Sequence, residues 1–194
     1  MKKAQNRPVF RKKSSYLHIF TQTHDMKNDA IAVANYFVDK ASSDKDCKFT
    51  LLRLVKYVYI AYGFSLAILD QMIIDDRFDV VEAWKYGPVI PSVYHSFKHN
   101  GNSTIRQKAQ IVTNETSDGH LTFSTPVVND EKIKKILDFV WDRYKEYSTS
   151  DLIKLLHKNG TPWHFCYREG ENIEIPNDIT KFYYKSVISN ALKS

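Results

Sequence analysis

One segment constrains this chain more than any other: LLRLVKYVYIAYGFSLAIL, Leu51–Leu69. No charge falls between Lys56 and Asp70, a run of thirteen residues. Leu51, Leu54, Val55, Val58, Tyr62, Leu66 and Leu69 form one apolar stripe at helical spacing, and Ile60, Phe64 and Ile68 form a second on the other side. A helix that is apolar all round needs cover on every side. A bilayer would supply it only for about 20 apolar residues, more than this uncharged run offers, so the segment reads as a core helix with no membrane partner. The remaining chain must then wrap around it.

The flanking patterns supply that wrapping. From Met26 onward, Ala30, Ile31, Ala34, Phe37, Val38 and Ala41 follow a helical ladder, with Asp39 and Lys40 facing away and Asn28 or Asp29 as the cap. Ser42–Lys48 is a polar loop. DVVEAWKYGPVIP (Asp79–Pro91) is rich in β-branched and aromatic residues and is broken by Gly87-Pro88, which predicts a short extended segment and a turn. Pro91 suits the first position of a short helix whose face is Val93, Tyr94 and Phe97, ended by Asn100-Gly101. Ala109–Thr113 and His120–Ser124, around Ser117-Asp118-Gly119, predict a hairpin.

A helix over Glu131–Tyr147 turns Ile133, Ile136, Leu137, Val140 and Tyr144 inward. The next begins at Ser148, where Ser148-Thr149-Ser150-Asp151 resembles a capping box with Asp in place of Glu, and stops near Asn159-Gly160. A loop over residues 161–176 then leads to a last helix, Asn177–Leu192. The expected fold is mainly α (α+β): a compact helical domain around a buried central helix, with a small β element.

Charge needs a correction before it is used. The chain has 28 Lys and Arg against 22 Asp and Glu, a formal charge of +6 and a pI of about 9.1. Lys2, Lys3, Arg7, Arg11, Lys12 and Lys13 carry the whole excess, and residues 1–24 hold no carboxylate. The body is therefore neutral. Lys132, Lys134 and Lys135 are interleaved with Glu131, Asp138 and Asp142, a solvated mixed face. Nucleic acid is thus expected to bind only through the tail, if at all. The predicted organisation is a basic tail, 1–25, disordered or not native, and a single domain, 26–194; Met26 is an alternative start. Two cysteines, Cys47 and Cys166, make no disulfide framework and suit a cytoplasmic compartment.

No set of residues reads as a catalytic centre. His95 and His99 have the spacing of a two-histidine metal face, but Ser96 stands where a zincin glutamate would be. His157, His164 and Cys166 offer three ligands at most, and His157 is read instead as satisfying carbonyls at a helix end. Neither cysteine lies in a nucleophile motif, no glycine-rich phosphate loop exists, and Asp75-Asp76 reads as a loop. Catalytic, metal and cofactor sites are all expected to be absent.

One constellation is more specific. The order is a short helix, the core helix with Lys56 and Tyr59, then Glu82-Ala83-Trp84-Lys85-Tyr86-Gly87-Pro88-Val89-Ile90-Pro91, and later Leu155-Leu156-His157 with Pro162-Trp163. This resembles the Panacea domain, the SocA-like antitoxin family that also contains phage-associated GepA-type proteins. The resemblance runs from about Met26 to the C-terminus. It departs from the pattern at Leu156, which replaces a threonine, and before Pro162, where an acid is missing.

The resemblance implies a non-enzymatic antitoxin. It would neutralise a protein toxin encoded by an adjacent gene, by direct binding or as an adaptor to a protease, with a protease or chaperone as a further partner. The alternatives are a phage or mobile-element interaction module without a toxin, and a DNA-binding autoregulator using the tail. Gly87-Pro88 would preset a turn. Trp84 and Tyr86 would alternate in direction along a strand, one inward and one outward, and Trp163 with Pro162 would form an apolar lid against it. Trp84, Gly87 and Trp163 are expected to hold the fold. Tyr86, Pro91 and Tyr94 are expected to contribute to a toxin-binding surface, since interfaces are rich in aromatics. The 105–125 hairpin, the Ser42–Lys48 loop and the Tyr86–Tyr94 face are the candidate variable surfaces.

Overall fold

In the computed structural model, which describes residues 29–75, 79–115 and 120–193, the apolar segment forms a single helix that the rest of the chain surrounds. The tail 1–25 and the possible cap Asn28 lie outside the described residues.

Asp29 opens α1 (Ala30–Ser42), its carboxylate accepting from the Ile31 and Ala32 amides. The core helix is α2 (Leu51–Leu69), buried on every side from Arg53 to Leu66. It is long and apolar enough to cross a membrane by length and composition, but 83% of the qualifying stretch is buried within the protein. It ends at Asp70, the non-glycine residue in the left-handed region at φ 55.

The predicted extended segment is a hairpin, β1 (Glu82–Trp84) and β2 (Gly87–Val89), followed by α3 (Pro91–Phe97) with Pro91 at its first turn. A second hairpin, β3 (Ile111–Glu115) and β4 (Leu121–Ser124), carries a register shift between Val112 and Asn114. The turn predicted at residues 117–119 lies outside the described residues. α4 (Glu131–Tyr144) is three residues shorter than expected: the Lys145 amide closes its last helical bond on Trp141, and the Tyr147 amide then turns back to the Tyr144 carbonyl. α5 (Thr149–Leu156) starts at the anticipated capping box, with both reciprocal Ser148–Asp151 bonds present.

Residues 161–176 do not form the expected loop. They hold α6 (Pro162–Cys166) and β5 (Ile173–Glu174), which adds a third antiparallel strand to give the order β2-β1-β5. Thr161 explains the helix: its hydroxyl donates to the Leu156 and Lys158 carbonyls and accepts the His164 amide, closing α5 and opening α6 at once. α7 (Asn177–Ala191) then packs along α2. Gly63 makes that close approach possible, because a Cβ there would lie 2.1 Å from the Tyr184 ring.

Buried apolar side chains from Ala30 to Tyr184 form one cluster around α2. Helices α1, α3, α4, α5 and α7, together with β2, all pack on it.

Candidate functional site

The motif residues converge on the β1–β2 hairpin. Strand alternation puts Ala83 in the core, fully buried, and turns Glu82 and Trp84 to the outer side. Residues 84 and 86 are two apart and would share one face of a strand, so the expected inward–outward pairing of their side chains fails: Trp84 turns outward with Glu82, and Tyr86 lies beyond the strand in the turn. The Trp84 indole N–H donates to the Glu82 carboxylate at 2.7 Å, and its ring lies edge-on to Tyr94 at 4.8 Å. Tyr86 lies in the turn between the strands, 57% exposed. Neither Lys85 nor Tyr86 has a positive φ, which excludes the mirror-image two-residue turns. Gly87, at φ +104, supplies the left-handed residue instead.

Three side chains grip this hairpin from beneath, each from a different part of the helical shell. Trp163 of α6 donates its Nε1–H to the Trp84 carbonyl at 2.8 Å. His157, just past α5, packs against the turn, with its Nε2 beside Gly87. Lys56 of α2 donates from Nζ to the Pro88 carbonyl at 3.0 Å. Residues 84 and 88 are thus each held at the carbonyl, and the tip projects outward between them. His157 stacks on Trp163 at 3.6 Å and 9°, and Tyr167 stacks on the same indole at 4.5 Å. Trp163 is a lid on the hairpin backbone, while the Trp84 ring turns away to Tyr94.

The electrostatics are unusual. Lys56 is fully buried, and no carboxylate pairs with it among the described residues. Burial alone pushes its amine down to about 7. His157 lies below its ordinary value through burial and through the nearby Lys56, and the Tyr86 backbone pulls the other way. Its Nε2 is buried and unpartnered. Both groups crowd Gly87: a Cβ there would lie 2.9 Å from Lys56 Nζ and 3.3 Å from His157 Nε2. Gly87 is therefore required twice, by its φ and by this close approach.

Two sequence readings change. His157 was expected to satisfy carbonyls of its own helix, but Thr161 does that and the imidazole reaches across to the hairpin. Lys56, read only as part of a helix pattern, belongs to the site; a lysine amid an apolar run was the available signal. Pro91 and Tyr94 are half-buried beside the hairpin, and the Asp79 carboxylate accepts from the Ser92 hydroxyl at the start of α3. Burial pushes Asp79 up to about 6, against the Ser92 hydrogen bonds.

The other candidate surfaces lie apart from this one. Arg106 stitches down the Ser42–Lys48 loop by donating to the carbonyls of Ala41, Asp44, Lys45 and Cys47. Leu121 and Phe123 of β4 are exposed at 47% and 57%. Among the described residues, no three His, Cys, Asp or Glu side chains gather as a metal-holding group.

Comparison with known proteins bears on what this arrangement is for. Residues 54–164, which include the core helix, the gripped hairpin, His157 and Trp163, match the family described as Antitoxin SocA-like, Panacea domain. The chain is 36% identical over 135 residues to the protein named Antitoxin SocA from Caulobacter vibrioides (strain NA1000 / CB15N), covering 70% of this chain and 68% of that one. No solved structure matches.

Proposed function

The chain belongs to the SocA-like antitoxin family that carries the Panacea domain, and from that membership we propose that it is an antitoxin that binds and neutralises a protein toxin encoded by an adjacent gene. On this reading it is a binding protein and not an enzyme, residues 26–194 are its single binding unit, and its two free thiols suit the reducing cytoplasm. The observation that carries the site assignment is the exposed Tyr86 on a turn whose backbone is held on both sides, at residues 84 and 88. A rigid aromatic on a fixed turn loses little freedom on docking, which is what a central interface anchor requires. Pro91 and Tyr94 extend that surface, with the Trp84 ring packed behind Tyr94.

The test is co-expression with each flanking gene. One neighbour is expected to arrest growth alone and to be harmless beside this protein, and the two are expected to co-purify. Tyr86→Ala should weaken the complex by about 30-fold, as loss of a 2 kcal/mol anchor does, with the melting temperature unchanged. A neighbour that is harmless alone, or stays toxic beside this protein, overturns the antitoxin reading. Full rescue by Tyr86→Ala removes the tip from it. Toxin half-life separates the two modes: direct neutralisation leaves it unchanged, and delivery to a protease shortens it.

A further inference from the structure

The buried amine of Lys56 lacks a structural justification of the usual kind. It sits within the apolar core with no carboxylate partner among the described residues, and its recorded bond goes to one backbone carbonyl. Pro88 is paired with Ala83 in the hairpin and has no N–H of its own, and its carbonyl is turned to α2. A methionine would fill the same volume without burying a charge-bearing group. Buried ionisable groups of this kind are generally replaceable by apolar ones with no loss of stability, or with a gain.

What an apolar side chain would not do is hold residue 88. Two hydrogen bonds fall on the carbonyls of residues 84 and 88, from donors on two separate helices, and the His157 ring packs against the turn between them. Between the held residues lie the exposed Lys85 and Tyr86. Gly87, the flexible point of the hairpin, is boxed in by Lys56 Nζ and His157 Nε2. A hairpin of two three-residue strands is too short to fix its own tip.

We propose that Lys56 and His157, with the Trp163 indole, are positioning residues whose role is to preorganise the Lys85–Gly87 tip for its partner, so that fold stability and tip order respond to Lys56 in opposite directions. The partner half of this statement rests on the antitoxin reading; the ordering of the tip does not.

Backbone amide exchange and nuclear relaxation on the full chain test it without any toxin. Lys56→Met is expected to keep or raise the melting temperature. It should leave exchange slow in the core helix and speed exchange of the Lys85, Tyr86 and Gly87 amides at least tenfold. His157→Phe, which keeps a ring stacked on Trp163, and Trp163→Phe, which removes the indole donor but keeps an aromatic ring, should loosen the same three amides. Unchanged tip exchange in Lys56→Met overturns the proposal. So does a lowered melting temperature with exchange rising throughout α2, which would make the lysine an ordinary structural residue.

Affinity for the adjacent-gene product is then measured for the same variants. Weakening in step with tip mobility supports the partner half. A loose tip with full affinity removes that half alone. A failed antitoxin reading shows itself differently, as no adjacent product that binds the wild type.

Discussion

Lys56 is the residue at which pH and stability meet. Its folded-state value of about 7 lies below the ordinary 10.5. A depressed folded value means that stability is present at high pH and is lost as pH falls through the folded value. At about 1.4 kcal/mol per unit, the penalty below pH 7 is on the order of 5 kcal/mol, and an unsatisfied Pro88 carbonyl would return about 1–3. Lys56→Met is therefore expected to raise the melting temperature by about 4–16 °C at pH 6, with the gain shrinking from pH 7 upward and turning into a loss by about pH 10, where only the missing Pro88 contact counts. Calorimetry across that range checks it, and a gain independent of pH would mean that the amine is not penalised by burial. Asp79 works in the opposite sense. Its folded value is raised to about 6, so its contribution is fullest below pH 3.8 and is lost as pH rises through 6. Asp79→Asn should stabilise by about 1–2 kcal/mol at pH 8 and by nothing at pH 4. Neither shift was legible in the sequence, because burial of a charged group depends on which elements close over it.

Helix α2 was legible to its ends, since apolar stripes on two sides of one long uncharged run call for cover all round, and the Ser148–Asp151 capping box was legible from spacing alone. Helix α6 and strand β5 were not. Five helical residues give no periodicity to read, and a two-residue strand exists only because β1 offers it an edge. Gly63 was equally silent, as a glycine within a helix reads as a mere weakness until the Tyr184 ring is seen in its place. Gly63→Ala should destabilise by about 3 kcal/mol through overpacking, lowering the melting temperature by roughly 6–12 °C. Tyr184→Leu, itself destabilising, should absorb most of that loss in the double variant, and additive losses in the denaturation cycle would show that the two residues do not compete for space.

At the scale of the molecule, the helical shell and the β3–β4 hairpin are joined by one buried side chain. Asn35 donates to the Ala109 and Pro126 carbonyls and accepts the Ala109 amide, pinning both roots of the hairpin to α1. Beyond those roots the hairpin packs chiefly on itself. Replacing residues 111–124 by a short Gly-Ser linker should therefore shift the melting temperature by no more than about 3 °C, within the scale of surface changes, and should leave growth rescue intact if the Tyr86 tip carries the contact. Loss of rescue with an unchanged melting temperature would move the contact to Leu121 and Phe123. The candidate site was half legible: motif order brought Trp84, Gly87, His157 and Trp163 together, but the grip on the carbonyls of residues 84 and 88 needs tertiary placement that no spacing encodes. The Gly63–Tyr184 contact also sets a timetable for the ribosome. Its two sides are more than a hundred residues apart, so at elongation rates of roughly 5–20 residues per second α7 is made on the order of ten seconds after α2. Until then one flank of the most apolar helix in the chain is bare, and a nascent copy that stalls before α7 presents to chaperones and proteases the surface that a finished copy hides.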